Sequence, residues 1–479
     1  MKILFVGSEA IPFISTGGLG DVLGSLPAAL MRYSPDNDVR VVLPLFKSIK
    51  QKFADKLTFV GETVVHLSWR NQYCGLFSCE KDGVVYYFID NEYYFGRDAI
   101  YGNYDDGEIY SFFAKAALDI MPLIEFYPDI LHCNDWQSSM SIVYLKRKYS
   151  QNSKYARIKT IYTIHNIDYQ GIYGMDILDD VFGLDTWGDR GVMEYNGCIN
   201  MTKGAIVCTD RVSTVSQRYA NEIQTEFYSS GLHHVLHMYS SKLSGIVNGI
   251  DIDYYNPAND EAIAKKYSVD DMKGKAICKK ELQKLAGLPE KADVPVVSMV
   301  SRLASHKGFD LVQYILPEML ELGIQFVLLG TGESEIEEYF RDIQNRYPEQ
   351  VKVFLEFNKD LSKRIYAGSD IFLMPSKSEP CGLSQMISSR YGTVPVVRET
   401  GGLYDTIKPY NKYTGEGNGF TFANYNAHEM KDAVQRAVDL YFDKKKWKAL
   451  VKTVMDVDFS WNVSAEKYMD LYKNVSSEY

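Results

Sequence analysis

Short runs of β-branched and other apolar residues alternate along the chain with longer stretches in which apolar positions recur at helical spacing. The runs predict strands at residues 3–6, 39–43, 84–89, 130–132, 159–164, 211–215, 296–300, 325–329, 351–354, 371–374 and 394–397. Such alternation is typical of parallel sheets with helices on both faces, whose ligand sites lie beyond the carboxyl ends of the strands. We therefore expect a doubly wound α/β fold with its functional residues directly after the strands.

The pattern changes near residues 245–252, where the letters G-I-V-N-G-I-D give way to the turn-rich segment 254–260. A charged stretch of helical period, residues 262–285, then leads to a fresh strand. We predict an N-terminal α/β domain over residues 1–247 and a C-terminal one over 248–457. Residues 459–472 read as an amphipathic helix, and we expect the tail 458–479 to pack back on the N-terminal domain.

Composition limits which partners the protein can bind and in which cellular compartment we expect it. The 479 residues include 62 acidic and 52 basic side chains, and this net charge of −10 offers no general attraction for nucleic acid or anionic lipid. The seven cysteines contain no Cys-x-x-Cys pair, so they form neither a disulfide framework nor a zinc site of usual spacing. With neither a signal peptide pattern nor an apolar run of about 20 residues, we expect a cytoplasmic protein without a membrane partner.

One short motif occurs twice. The letters T-G-G-L-x-D stand at Thr16 to Asp21 and again at Thr400 to Asp405, each time after a predicted strand and before a predicted helix. Glycines there let backbone amides face a ligand, and the start of a helix favours an anion, which indicates a phosphate site. Either copy by itself fits a structural turn equally well.

Charged residues follow two strands of the second half. Arg302 and Lys307 come after the strand 296–300, where a guanidinium and an ammonium can neutralise a diphosphate; the alternative is two solvated surface charges. Glu379 follows the strand 371–374 and can accept hydrogen bonds from sugar hydroxyls; the alternative is a helix-capping acid. Cys381 has no histidine near it in sequence, so an inert small residue is favoured over a nucleophile.

The first half places polar residues after neighbouring strands as well. His132 to Trp136 reads H-C-N-D-W, and His165 follows the strand 159–164. A single histidine is more often structural than catalytic, but the shared position after neighbouring strands favours a site containing Asp135 and His165. His233 and His237 share a helical spacing, yet the glutamate of an H-E-x-x-H motif is absent and we predict no metal site.

Nine motifs occur in the order typical of one family and span nearly the whole chain. They are TGGLGDV (16–22), HCNDW (132–136), TIHNIDYQG (163–171), STVS (213–216), GIVNGID (245–251), SRLASHKG (301–308), SEPCGLSQM (378–386), RETGGLYDT (398–406) and DFSW (458–461). The chain resembles the bacterial glycogen synthases and plant starch synthases, which are retaining glycosyltransferases of GT-B architecture with two facing Rossmann-like domains.

The resemblance implies transfer of glucose from ADP-glucose to the non-reducing end of an α-1,4-glucan such as glycogen, with retained configuration and with no metal or other cofactor. It implies that Arg302 and Lys307 grip the donor diphosphate, that Glu379 lies beside the donor glucose, and that His165 lies at the anomeric centre. Further implied positions are Gly18, Asp21, Phe357, Cys381, Gly382 and Leu383 for the donor, and Asp135 and Trp136 for the acceptor.

One position departs from the family pattern. The family's first loop usually reads K-T-G-G, whereas this chain has Ser15 before Thr16. Loss of a cation near the donor phosphate weakens binding, so a weakened or non-catalytic glucan-binding homologue stays open as an alternative, as does use of UDP-glucose. A Rossmann dehydrogenase is a further rival, but the first loop lacks G-x-G-x-x-G spacing.

Overall fold

The computed structural model describes residues 1–477 and divides the chain into two compact units. The N-terminal unit comprises Met1–Asn248 together with the C-terminal segment that begins at Trp461, and the C-terminal unit comprises Gly249–Ser460. Each unit is an α/β layer structure with a mainly parallel sheet, so the doubly wound architecture predicted from the alternating pattern is confirmed. Within residues 1–477, no helix combines the length and the apolar character needed to cross a membrane.

The N-terminal unit contains a main sheet and a small second sheet. Its strands are β1 (Lys2–Val6), β2 (Asp38–Pro44), β3 (Thr58–Leu67), β4 (Arg70–Lys81), β5 (Val84–Asp90), β6 (Ile130–Asn134), β7 (Lys159–Ile164), β8 (Ile172–Tyr173), β9 (Glu194–Tyr195), β10 (Cys198–Asn200), β11 (Arg211–Thr214) and β12 (Leu243–Gly245). The main sheet has the order β12-β11-β7-β6-β1-β2-β5-β4-β3, and β8-β10-β9 form the small sheet. Strands β1 and β6 are buried almost throughout because helices cover both faces of the sheet.

Ten helices of this unit precede the domain boundary in the described residues. They are α1 (Gly18–Tyr33), α2 (Lys47–Lys52), α3 (Glu92–Phe95), α4 (Asp106–Asp119), α5 (Trp136–Lys148), α6 (Ile177–Asp180), α7 (Arg190–Met193), α8 (Met201–Cys208), α9 (Gln217–Glu222) and α10 (His233–Met238).

The C-terminal unit contains one parallel sheet with the order β15-β14-β13-β16-β17-β18. Its strands are β13 (Val296–Val300), β14 (Gln325–Leu329), β15 (Val351–Phe354), β16 (Ile371–Met374), β17 (Val394–Arg398) and β18 (Phe420–Phe422). Its helices are α11 (Lys273–Leu285), α12 (Phe309–Leu320), α13 (Ser334–Arg346), α14 (Lys359–Gly368), α15 (Ser384–Arg390), α16 (Gly401–Thr406), α17 (Ala427–Phe442) and α18 (Lys444–Asp456).

The last helix, α19 (Trp461–Ser477), belongs to the N-terminal unit and packs against α1. Its buried face includes Tyr472, whose hydroxyl lies 2.8 Å from Nδ1 of His132 on β6. His132 Nε2 is in turn 2.6 Å from the Thr163 hydroxyl on β7. His132 is thus a structural residue that ties the final helix to the central strands. Residues 478 and 479 of the predicted tail lie outside the described residues.

The sequence pattern does not predict strands β3, β4, β8, β9, β10, β12 and β18, and it begins one helix too early. Strands β3 and β4 form an antiparallel hairpin at the edge of the main sheet, where many side chains are exposed and the apolar run is interrupted by polar residues. The predicted helix over 262–285 is wrong in its first half, because α11 begins only at Lys273. The preceding segment is held as turns by Asp260, which accepts hydrogen bonds from the Ala262 amide and the Tyr391 hydroxyl.

Candidate active site

In the main sheet of each unit, the order in which successive strands are placed runs first toward one edge and then toward the other, so that it reverses between two adjacent strands. The reversal lies between β1 and β6 in the N-terminal unit and between β13 and β16 in the C-terminal unit. Open α/β sheets bind ligands outside the carboxyl ends of the strands at such a point. The glycine loop follows β1, Asp135 follows β6, and the loops with Arg302 and Glu379 follow β13 and β16. The topology therefore places the predicted residues at the two expected ligand positions.

In the C-terminal unit, Lys307 and Glu379 form a partly buried ion pair. Lys307 Nζ lies 2.7 Å from Glu379 Oε2, and the Ser376 hydroxyl donates to the same oxygen at 3.0 Å. The Glu379 side chain is only 8% exposed. Helix α15 begins five residues later at Ser384, with Leu383 as its N-cap. Glu379 is therefore not a helix cap, and the capping alternative is wrong.

Arg302 lies in the same loop as Lys307 but is exposed. Within residues 1–477, its guanidinium makes no hydrogen bond or ion pair, so its five N–H donors are available to an anion. The loop itself is fixed. The Lys377 amide donates to the His306 carbonyl at 2.9 Å, and Gly308 adopts φ +80° with its Cα close to the Pro375 carbonyl.

The second glycine motif has a packing role. A Cβ at Gly401 would lie 1.9 Å from the Glu379 carbonyl oxygen, and one at Gly402 would lie 2.0 Å from the Cys381 carbonyl oxygen. The Gly402 amide donates to the carbonyls of Glu379 and Pro380 at 3.1 and 3.0 Å. The expectation that this amide faces a ligand is therefore wrong. The motif instead lets the loop after β17 approach and hold the backbone that carries Glu379.

The first glycine motif is open at its first two glycines, whereas Gly20 packs against Ser15. A Cβ added at Gly17 or Gly18 would meet no atom within 4 Å, so packing within the unit does not require glycine at either position. Helix α1 starts at Gly18 and runs for 16 residues, and Asp21 is in its first turn. An exposed backbone at the start of a long helix is suited to the close approach of an anionic ligand.

The two copies of one motif thus differ in packing, because the second is enclosed by the backbone around Glu379 while Gly17 and Gly18 of the first are exposed. The expectation that backbone amides face a ligand is wrong for Gly17 as well, whose amide donates to Glu9.

Glu9 fixes the shape of this first loop, and nothing in the sequence pattern beyond its place after β1 points to it. Its buried carboxylate accepts hydrogen bonds from the Thr16 hydroxyl at 2.8 Å, from the Gly17 amide at 3.3 Å, and from the Thr16 amide. The Tyr101 hydroxyl donates at 2.5 Å to Oε1, the oxygen that also accepts the Thr16 hydroxyl, whereas both amides donate to Oε2. Ser15 is exposed beside this network, and its hydroxyl donates to the Gly17 carbonyl at 3.2 Å.

His165 is buried and oriented by Asn134. The Asn134 amide nitrogen donates to the Val6 and His132 carbonyls, so its oxygen faces His165 Nε2 at 3.0 Å. Burial lowers the pKa of the His165 imidazole to about 3, which keeps the ring neutral with its proton on Nε2. Within the described chain, the buried Nδ1 has no hydrogen-bond partner.

Asp135 holds the backbone of His165. Its Oδ1 accepts the His165 amide at 2.7 Å, and its own backbone adopts φ +56°, a region that L residues seldom occupy. Burial raises the pKa of the Asp135 carboxyl to about 7, while hydrogen bonds from the His165 and Asn166 amides act in the opposite direction. The strained backbone and the raised pKa together single out this position as a candidate functional residue.

The remaining predicted positions differ in exposure. Phe357 is 85% exposed in the loop after β15, a position from which its ring can stack on a ligand. Cys381 is buried, and Gly382 has φ +72° in the turn before Leu383. Trp136 is 8% exposed and lies edge-on to Tyr110 with ring centroids 5.2 Å apart. Trp136 thus packs in the interior, and its acceptor contact stays a prediction.

His233 and His237 lie on the short helix α10, as their spacing predicts. Across residues 1–477, no group of three or more histidine, cysteine, aspartate or glutamate side chains could together hold a metal ion.

Comparison with known proteins agrees with this geometry. Residues 2–238 match the family model of the starch synthase catalytic domain, and residues 282–453 match that of glycosyl transferases group 1. The two units, their parallel sheets and the sites at the strand ends thus define a glycosyltransferase of the GT-B fold. The chain is 48% identical over 476 residues to a glycogen synthase of Bacillus cereus (strain B4264), covering 99% of this chain and 100% of that one. It belongs to the glycogen synthase and starch synthase family.

Other relatives extend the comparison. A glycogen synthase of Clostridium novyi (strain NT) is 47% identical over 477 residues, with 99% of each chain covered. The catalytic domain of starch synthase IV from Arabidopsis thaliana, solved bound to ADP and acarbose, superposes with a TM-score of 0.89 at 33% identity and 99% coverage of both chains. A sucrose-phosphate synthase from Thermosynechococcus elongatus shares the fold, with a TM-score of 0.61 at 14% identity over 99% of this chain and 98% of that one.

Proposed function

We propose that this glycosyltransferase is a glycogen synthase that transfers glucose from ADP-glucose to the non-reducing end of an α-1,4-glucan, with retention of the anomeric configuration. The observation that carries the proposal is the grouping of Arg302, Lys307 and Glu379 at the point where strand order reverses. A buried carboxylate paired with Lys307, with a second cation, Arg302, in the same loop as that lysine, suits a ligand that joins a diphosphate to a sugar. The relatives named glycogen synthase, and the starch synthase bound to ADP and acarbose, support the same substrates.

The cationic pair provides stabilisation of the leaving group. When the bond between the glucose C1 and the phosphate oxygen breaks, negative charge grows on ADP, and Arg302 and Lys307 stabilise it. Because two cations meet this charge, we propose that neither a divalent ion nor another cofactor is needed. The acceptor hydroxyl oxygen bonds to C1 from the same face, and its proton passes to the departing phosphate. The products are ADP and a glucan one glucose longer.

Three side chains are proposed to hold the sugars. Glu379 accepts hydrogen bonds from donor glucose hydroxyls through the carboxylate that Lys307 and Ser376 already orient. His165 is proposed at the anomeric centre, where as a neutral ring it does not repel positive charge that develops on the glucose. Asp135 is proposed on the acceptor side. Phe357 offers its exposed ring to the adenine, which is the proposed basis for preferring ADP-glucose.

The proposal is tested by steady-state glucose transfer to glycogen with ADP-glucose and with UDP-glucose. We expect kcat/KM to be at least about tenfold higher for ADP-glucose, and proton NMR of the product to show new α-1,4 linkages. Equal or reversed donor preference would contradict the assignment of the donor. Absence of transfer from both donors would instead support a glucan-binding protein that lost activity along with the lysine usual at position 15.

A further inference from the structure

A cavity of about 530 Å³ lies in the C-terminal unit near the amino ends of the strands, whereas Arg302 and Glu379 follow their carboxyl ends. Its lining includes Ala292, shortly before β13, and Asp370, directly before β16. The loops that carry Arg302 and Glu379, called the donor loops below, follow those strands. A strand of five residues separates the two ends by about 16 Å. The volume falls within the range of about 300–1,000 Å³ typical of small-molecule pockets. This cavity is therefore separate from the proposed donor site.

The lining is strongly cationic in a protein whose net charge is −10. Of the described residues, six lysines and one aspartate line it: Lys275, Lys279, Lys444, Lys445, Lys448, Lys452 and Asp370. Lys279 and Asp370 form an ion pair of 2.8 Å, and Lys279 also donates to the Ala292 carbonyl and the Tyr441 hydroxyl. The charges of Lys279 and Asp370 cancel, so the other five lysines give the cavity an excess of positive charge.

Lys275 lies partly buried in the cavity wall and bonds only neutral groups. Its ammonium donates to the carbonyls of Ala367 and Tyr391 at 3.1 and 2.9 Å, and to the Thr393 hydroxyl at 3.0 Å. Burial lowers the pKa of this lysine to about 8. Among residues 1–477, no carboxylate lies within ion-pair distance of it. An anion bound in the cavity would stabilise its charged form.

The remaining lysines line the rim from one helix. Every fourth residue of α18 is a lysine at three positions, Lys444, Lys448 and Lys452, so these side chains lie along one face of the helix. All three are exposed. Within the described chain, Lys448 and Lys452 form no ion pair or hydrogen bond. Like charges at this spacing repel one another, and a ligand with several negative charges would remove that repulsion.

The floor of the cavity is mainly apolar, with Met272, Tyr441, Trp447 and Val451 among its side chains. We propose that the cavity binds a nucleoside polyphosphate, with its base against these side chains and its phosphates beside the lysines of α18. Several phosphates match several unpaired lysines, for which an ammonium acts as a point charge, and a planar base matches an aromatic and aliphatic floor. The site is additional to the donor site proposed above.

Photolabelling of the full chain with 8-azido-ATP tests this proposal, because peptide mass mapping tells the two sites apart. We expect labelled peptides from residues 441–452, in addition to any from the donor loops. The double variant Lys448→Gln/Lys452→Gln should reduce label in residues 441–452 by about tenfold at a subsaturating probe concentration, with donor-loop label unchanged. The matched variant Lys412→Gln/Lys446→Gln changes two exposed lysines outside the cavity and should leave both labels intact.

Three results would overturn the proposal. The first is label that appears in the donor loops only. The second is cavity label that survives Lys448→Gln/Lys452→Gln. The third is an equal loss of label in the matched variant, which would indicate general charge attraction. Inorganic tripolyphosphate provides a second arm. It should compete more weakly than ATP for the cavity label, and equal competition would contradict a base-binding floor.

Discussion

The Lys307 ammonium lies 2.7 Å from the Glu379 carboxylate, although the two residues are 72 positions apart in the chain. They meet because their loops follow β13 and β16, which are neighbours in the sheet. The pairing fixes a cation and a hydrogen-bond acceptor side by side before any ligand binds. A ligand with a phosphate and a sugar ring therefore meets a preorganised arrangement.

Breaking this pair from either side should destabilise the fold. Glu379→Gln or Lys307→Gln leaves a partly buried charge without its partner, so we expect each to lower the free energy of unfolding by about 1–3 kcal/mol. The double variant should lose less than the sum of the two single losses. Urea denaturation measures this, with Arg302→Gln as control, since that exposed side chain should change stability by less than about 0.5 kcal/mol. Strictly additive losses would contradict the coupling.

The two glycine motifs should respond in opposite ways to alanine. Gly401→Ala places a Cβ 1.9 Å from the Glu379 carbonyl oxygen at φ +44°, so we expect a loss of about 2 kcal/mol or more in unfolding free energy. Gly18→Ala meets no atom within 4 Å and should leave stability intact while weakening ADP binding. Urea denaturation and calorimetric ADP titration separate the two effects. Stable Gly401→Ala protein, or unchanged ADP binding by Gly18→Ala, would refute the division of roles.

Restoring the family's lysine should increase activity. Ser15 is exposed next to the open loop of Gly17 and Gly18, so Ser15→Lys can place an ammonium there without displacing the interior. We expect kcat/KM for ADP-glucose to rise by about tenfold, the value of one charged contact to phosphate. Ser153→Lys adds the same charge at an exposed site of the same unit and should have no effect. An unchanged or lower value for Ser15→Lys would show that another group already has this role.

The buried carboxyl of Asp135 should make stability depend on pH. Its folded-state pKa of about 7 exceeds the ordinary value of 3.8, so between these values the folded protein binds more protons than the unfolded chain. The protonated Asp135 carboxyl therefore stabilises the folded state fully below about pH 4, and this contribution is lost as the pH rises through 7. Asp135→Asn removes this titration but keeps an acceptor for the His165 amide.

Unfolding free energies at pH 5 and pH 8 measure the effect. The stability of Asp135→Asn relative to the original protein should increase from pH 5 to pH 8, whereas that of Asp36→Asn, an exposed control, should change little. A constant difference for Asp135→Asn would show that the carboxyl titrates outside this range.

The sequence pattern predicted the buried parallel strands well. Strands β13, β14 and β16 begin and end where the predicted runs do, because strands buried on both faces are rich in consecutive apolar residues. The hairpin of β3 and β4 was missed because an exposed sheet edge carries polar residues. The general position of the site followed from topology, since motifs after parallel strands lie at one edge of the sheet.

The partners within the site were beyond the sequence pattern. Glu9 receives a hydrogen bond from Tyr101, 92 residues away, and Asn134 orients His165 from another strand. Contacts of this kind depend on packing in three dimensions and leave no local motif. The difference between the two copies of T-G-G-L-x-D was equally hidden, because only the neighbouring backbone decides whether a glycine is exposed or packs against another loop.

We propose above that two cations and one carboxylate support glucose transfer without a divalent ion. Incorporation of radiolabelled glucose from ADP-glucose into glycogen in excess EDTA tests it most directly, with the original protein and Glu379→Ala assayed side by side. We expect the original protein to keep its full rate in EDTA and Glu379→Ala to lose about a hundredfold or more in kcat. Loss of transfer in EDTA, or undiminished turnover by Glu379→Ala, would contradict the account.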